Sequence, residues 1–310
     1  MTSIALATCA ALPDLHEDDA PLLAALADRG VDVSPAVWDD PSVDWSGFDL
    51  VVIRSTWDYA ARHTEFLRWA ARVEATTRLA NPLPVVAWNT DKHYLRDLES
   101  VGVPVVPTQW LEPTRVFTSR ALHTRFPASG DFVIKPAVSA GSIDTGRYTA
   151  MDAHSRGLAI SHARRLLADS RTVMVQRYMS SVDTVGERAH VFVAGEYSHS
   201  VHKGAMLDGP DVGAQGVYRE ERMSGLEPSE GEVAFAADVV RAARRFFDRS
   251  ADGVELVTEP LLYARVDVVT NDAGEPVLME LELVEPSLFT SLAPGSLDRV
   301  ADAVAARAGA

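Results

Sequence analysis

Two stretches near the C-terminus, YARVDVV (263–269) and VLMELELVEPS (277–287), set charged side chains at alternate positions among apolar ones. In extended chain, alternate residues share a face, so Arg265 goes with Asp267 and Glu280 with Glu282. A two-residue turn at Ala273-Gly274 would pair Asp267 with Glu280 and Arg265 with Glu282 on one surface. Facing carboxylates repel unless a cation lies between them, and Mg²⁺ is held by a few carboxylates plus phosphate oxygens. The plainer alternative is a solvated ionic face. The flanking Val266, Val268, Val269, Leu278, Met279, Leu281 and Leu283 suggest a central strand pair, which favours acids lining a cleft and a metal site.

Other residues suit anion chemistry. Lys135 sits near the end of the apolar run FVIK, just before SAGS (139–142), a loop of small residues whose backbone N–H groups can approach phosphate. Taken singly, Lys135 could equally be a snorkelling edge residue and Lys92 a surface lysine on a helix. VQRYM (175–179) reads as a strand leaving a sheet, able to present backbone edges to a purine or simply to fill a core. RSTWDY (54–59) follows an apolar strand at the end where open α/β sheets bind ligands. There Arg54 can pair with a carboxylate and Asp58 can receive an amine, with Thr56 between them; the competing reading is a loop anchored by buried Trp57 and Tyr59. Glu17, Asp18 and Asp19 are substrate-facing or merely helix N-terminal charge. His199 and His202, three apart on a strand, point to opposite faces and make no metal pair.

These residues need elements to hold them. Residues 3–9, 31–38 and 49–55 read as strands, LLAALADRG (22–30) as the end of a helix stopped by Gly30, and 65–75 as an amphipathic helix. Such alternation predicts a doubly wound parallel sheet over 1–88. A dinucleotide fold would need G-x-G-x-x-G after the first strand, but TCAALPDLHEDD (8–19) has no glycine and carries four acids. From 89 onward the pattern changes to α+β. A helix over 89–102 with Thr90 as N-cap and a strand over 103–108 come first. A strand, loop and return strand follow over 132–148, then a helix over 152–169 and a strand over 172–179. A hairpin about Gly195, a loop from Gly204 to about Gly231, a helix over 229–250, a hairpin over 261–283 and a closing helix over 297–309 complete the chain. Boundaries at 1–88, 89–179 and 180–310 are expected.

Composition narrows the partners. The 310 residues can bury a sizeable core, and 47% hydrophobic with 24% charged residues suits a globular protein. A net charge of −15 argues against nucleic-acid or anionic-membrane partners. Cys9 stands alone, so neither an intrachain disulfide nor a cysteine-based zinc site is expected. The apolar start 3–12 lacks a basic flank and runs into acids, and no run approaches the roughly 20 residues of a membrane helix. A cytoplasmic protein is expected, with homo-oligomerisation left open.

A lysine on a helix, a lysine before a small-residue loop, a Q-x-Y hinge and a strand pair with D…E-x-E, in that order, resemble the ATP-grasp superfamily over about residues 88–288. The resemblance implies an ATP-grasp fold: an N-terminal doubly wound parallel α/β domain and two ATP-clamping subdomains. It also implies a carbon–nitrogen ligase using ATP and one or two Mg²⁺ ions, working through an acyl phosphate and releasing ADP and phosphate. By this similarity Lys92, Lys135, Ser139, Gly141 and Ser142 contact the nucleotide. Gln176, Tyr178 and Met179 form the adenine hinge, and Asp183 or Glu187 holds the ribose. Asp267, Glu280 and Glu282 hold magnesium, and Arg265 and Lys203 neutralise the transferred phosphoryl group; from position alone, just past the metal strand, Glu285 and Ser287 are expected to touch substrate. Many members have E-x-N where this chain has Glu280-Leu281-Glu282, which leaves Glu282 the least defined. The nearest likeness is to small glutathione-synthetase-like ligases, and more narrowly to the cyclo-ligases that close the cycloserine ring from O-ureido-serine. The partner expected is a small amino-acid-like substrate. A two-substrate ligase and a non-catalytic nucleotide-binding regulator are the alternatives.

Overall fold

The computed structural model describes residues 1–211, 216–218 and 222–310. The first unit contains β1 (Ser3–Thr8), α1 (Pro21–Ala27), β2 (Asp32–Val37), β3 (Leu50–Ile53), α2 (His63–Glu74) and β4 (Arg78–Ala80), followed by α3 (Leu83–Asn89) and α4 (Tyr94–Ser100). The second contains β5 (Thr108–Leu111), α5 (Ser119–Arg125), β6 (Asp131–Pro136), β7 (Gly146–Thr149), α6 (Ala153–Ala168) and β8 (Val173–Arg177). The third contains α7 (Ser181–Thr184), β9 (Glu187–Val193), β10 (Glu196–Lys203), β11 (Met223–Leu226), α8 (Glu230–Ala243), β12 (Tyr263–Thr270), β13 (Pro276–Glu282) and α9 (Ser296–Ala308).

The first sheet has the order β2-β1-β3-β4 with parallel pairing throughout. Alternate residues of β1 serve opposite faces: Ile4 and Leu6 pack towards α1 and α9, Ala5 and Ala7 towards α2. Both faces are therefore covered, as a doubly wound sheet requires. The order reverses between β1 and β3, so the loops after those strands flank a crevice where such sheets bind ligands. The other two sheets are antiparallel, β5-β8-β6-β7 and β11-β10-β9-β12-β13.

Several expectations shift. Thr90 caps the C-terminal end of α3 instead of starting a helix, and Lys92 lies in the turn between α3 and α4, not on a helix. α4 packs through Tyr94, Leu95 and Leu98 against the sheet of β12 and β13 together with α8. The strand expected over 103–108 starts at Thr108, while Val105 makes only an isolated bridge to Leu278. The helix over 229–250 opens with a Ser229–Glu232 capping box but ends at Ala243, passing into a 3₁₀ turn. The stretch 204–231, expected to be a loop, contains β11, and its residues 212–215 and 219–221 lie outside the described residues.

The β12–β13 hairpin pairs Arg265 with Glu282 and Asp267 with Glu280, as the alternation predicts. The turn differs: Asn271 closes on Glu275, and the register slips by one between Asp267 and Val268, which leaves Met279 as a bulge residue. Bulges re-aim side chains beside active sites. Met279, Glu280, Leu281 and Glu282 all reach one cavity wall, which strict alternation would not allow.

Candidate active site

A cavity of about 490 Å³ opens where the three sheets meet, within the usual range for small-molecule sites. One wall is the lysine-bearing sheet. Lys135, at the end of β6, forms an ion pair of 2.5 Å with Glu280. Lys92 donates to the Ser139 carbonyl at 2.8 Å and to its hydroxyl at 3.0 Å, holding the small-residue loop in place. Within that loop Gly141 has φ +57, and a Cβ there would collide with the backbone of Val217 and Tyr218. Glycine is needed at this point for close approach of the two segments of the chain. Ser139, Gly141 and Ser142 line the cavity, as do Gln176, Tyr178 and Met179 of the hinge. Gln176 is pinned by the Thr108 hydroxyl at 2.8 Å, and Val106, Met179, Val182 and Met279 form an apolar patch at this end suited to a flat ring.

The opposite wall is β12–β13. Arg265 donates to Asp267 at 2.8 and 2.9 Å and also pairs with Glu282. Lys203 bonds Glu187 at 2.9 Å and Asp267 at 3.3 Å. Burial would raise the Asp267 carboxyl, but Arg265 and then Lys203 hold it well below the usual carboxylate range. Lys135 and Lys92 likewise overcome burial at Glu280 and hold it at about 2. Glu282 goes the other way: burial, only partly offset by Arg265 and reinforced by Asp267 and Glu280, pushes it up to about 8. Asp267 lies beneath the surface, almost fully buried, whereas Glu280 and Glu282 face the cavity.

These carboxylates offer the hard oxygen donors that magnesium prefers. Among the described residues no three acids or histidines already converge on a metal position, because Asp267, Glu280 and Glu282 are each matched by a base. The set fits a cation that arrives with phosphate, since phosphate oxygens give the lysines another partner.

Of the two ribose candidates, Glu187 lines the cavity; Asp183 faces away, held bidentately by Arg147 at 3.0 and 2.9 Å and bonded by the Tyr178 hydroxyl at 2.6 Å. The expectation for RSTWDY is corrected. Arg54 is buried and donates to Asp19 at 3.0 and 2.6 Å and to the Pro286 carbonyl at 2.7 Å, so it braces the fold rather than meeting ligand. Thr56 is fully buried, and Asp58 accepts from the Trp38 indole at 2.8 Å. The side chains of this loop that reach the cavity are Trp57 and Tyr59. The acidic stretch is structural in part, for Asp18 accepts the backbone N–H groups of Leu288, Phe289 and Thr290 at 3.0, 2.8 and 3.1 Å. His16 and Trp57 make ring contacts with Tyr218, each at about 5 Å, and Glu285, Ser287 and Phe289 complete the wall. Sequence reasoning missed Tyr59, Tyr94, Asn89 and Tyr218. A run of aromatic residues after β3 was the only hint of Tyr59.

Two antiparallel sheets facing each other across lysines and a carboxylate hairpin, set against a doubly wound domain, define an ATP-grasp ligase. A family model described as the N-terminal domain of D-cycloserine synthetase DcsG matches residues 4–81. The chain is 38% identical over 309 residues to the cycloserine biosynthesis protein DcsG of Streptomyces lavendulae, covering 99% of each. It matches the crystal structure of D-cycloserine synthetase DcsG with a TM-score of 0.86 at 36% identity, again over 99% of both chains. It shares its fold with the D-alanine–D-alanine ligase of Bacillus anthracis complexed with ATP, at a TM-score of 0.65 and 12% identity, over 99% of this chain and 97% of that one. The chain belongs to the DcsG family of ATP-grasp ligases.

Proposed function

We propose that this protein uses ATP to activate the carboxylate of an O-ureido-serine-type amino acid and closes a ring onto it. The observation that carries this reading is the single cavity shared by Lys92, Lys135, the 176–179 hinge, Arg265, Glu280 and Glu282. The apolar hinge end suits adenine, Glu187 suits the ribose, and the two lysines with the 139–142 loop suit the phosphates. Glu280 and Glu282 on the cavity wall, backed by Asp267 on the paired strand, would hold Mg²⁺, which supplies charge neutralisation on the phosphates. A substrate carboxylate oxygen attacks the γ-phosphorus and ADP departs; Arg265 and Lys203 stabilise the charge on the transferred group. A nitrogen of the same molecule then attacks the activated carbonyl carbon, the C–N bond forms, the carbonyl C–O bond to phosphate breaks, and the proton of that nitrogen goes to the departing phosphate or to solvent. Such chemistry needs positioning and fixed charge, and no protein nucleophile.

The deciding experiment incubates the enzyme with ATP, Mg²⁺ and O-ureido-serine and measures nucleotide and ring product together. ADP, phosphate and a cyclic product in step are expected. AMP and pyrophosphate would overturn the acyl-phosphate route. ADP release that requires a separate amine would assign a two-substrate ligase, and binding without turnover a regulator.

A further inference from the structure

The inward-facing acids are not equivalent. Glu187 is paired with Lys203, Glu280 with Lys135 and Glu282 with Arg265. Glu17 sits exposed at the rim. Glu285 also lines the cavity and is 8% exposed, yet among the described residues no basic side chain makes an ion pair with it. The phenol of Tyr59, which comes from the loop after β3 and lines the same cavity, is its polar neighbour and favours its ionised form. A buried acid without an ion-pair partner is costly to ionise, and an incoming cation would offset that cost.

The position is firmly built. The Trp57 indole donates to the Glu285 carbonyl at 3.1 Å, and Arg54 donates to the next carbonyl, that of Pro286. Two residues further on, the Ser287 carbonyl accepts from Arg265 at 3.2 Å. Arg265, whose guanidinium also pairs with Asp267 and Glu282, and Glu285, which has no ion-pair partner among the described residues, thus line the same cavity.

We infer that Glu285, steadied by Tyr59, is the specificity-determining seat for the α-ammonium of the substrate, with Arg265 facing its carboxylate end. This rests on the proposed reading of the cavity as a ligase site for an amino acid and deepens it by assigning the residue that receives the ammonium. Glu285 selects the substrate and takes no part in phosphoryl transfer.

The test compares O-ureido-serine with its deamino counterpart, which has the same chain and no ammonium, on the full-length enzyme with ATP and Mg²⁺. For the wild type, calorimetric affinity for the amino compound should exceed that for the deamino compound by roughly thirty-fold or more, the usual loss when a buried charge pair loses one partner. Glu285→Gln should raise KM for the amino compound by a similar factor, keep KM for ATP and abolish the preference; Tyr59→Phe should weaken the preference in the same direction. Equal wild-type affinity for both compounds overturns the inference, whether or not any variant folds. So does Glu285→Gln whose loss lies in kcat with KM unchanged. A wild type that releases no ADP with either compound defeats the ligase reading instead, and the binding comparison still judges Glu285.

Discussion

At the scale of single residues, the site works by matching each carboxylate to its neighbours. Lys135→Met removes the partner of Glu280 and a charge from the wall proposed to receive the phosphates; kcat/KM for ATP should fall on the order of a hundred-fold or more in an ADP-release assay. A loss below about three-fold would show that Lys135 is structural. Glu285 carries a different signature. Burial pushes it up to about 7, against an ordinary 4.5. The folded protein then holds a proton that the unfolded chain has released, so this group lowers stability as pH rises from about 4.5 to about 7, by at most about 3 kcal/mol. Glu285→Gln should therefore melt higher than the wild type at pH 8 and lose that advantage at pH 4.5; a constant difference across pH would contradict it. Much of this was legible, because alternation placed Arg265, Asp267, Glu280 and Glu282 on one face. Arg54 and Asp58 were misread because burial and partners 35 and 20 residues away in sequence, Asp19 and Trp38, leave no local mark.

At the scale of elements, β13 is the edge of its sheet and would expose unpaired backbone. Asn89 closes that edge as a strand would, donating to the Leu281 carbonyl at 2.9 Å and accepting from the Leu283 amide at 2.7 Å. The Tyr94 hydroxyl takes the Leu281 amide at 2.9 Å. Asn89→Ala strands two buried backbone groups and should cost about 2–4 kcal/mol in urea unfolding; a change under about 0.5 kcal/mol would mean that water or a neighbour replaces the amide. Ser229→Ala, which breaks the cap of α8, should cost about 1 kcal/mol by the same measurement. Periodicity revealed α2, α6, α8 and α9, since each has one apolar face to bury. It failed at Thr90 and Lys92, where a turn breaks an expected helix, and at the hairpin, where a wider turn closed by Asn271 and Glu275 replaces the tight one suggested by Ala273-Gly274 and a bulge shifts the register at Met279. Side-chain amides that imitate a strand have no sequence signal at all.

At the scale of the whole molecule, the N-terminal and C-terminal units share a core in which α1 and α9 pack together, tied at the surface by Arg29 to Asp298 and Asp302. The inner tie is buried Arg54, which is paired with Asp19 and donates to the Pro286 carbonyl of the C-terminal unit. Arg54→Ala leaves Asp19 buried without its cation and should cost about 3–5 kcal/mol, whereas Arg54→Ala with Asp19→Ala should cost clearly less; additive losses in thermal or urea unfolding would refute the pairing. The doubly wound domain was readable from its alternating pattern, but these long-range ties were not, because they join residues hundreds of positions apart. They also share a property. Trp57, Arg54, Arg265 and Asp18 grip residues 285 to 288 in turn through their carbonyls and the Leu288 amide. The frame thus holds the segment's path while leaving the identities at 285 and 287 nearly free. Exchanging those two side chains is accordingly a route to new acceptors that leaves the scaffold standing, the kind of separation that lets one ligase architecture drift towards different amino acids without first having to refold.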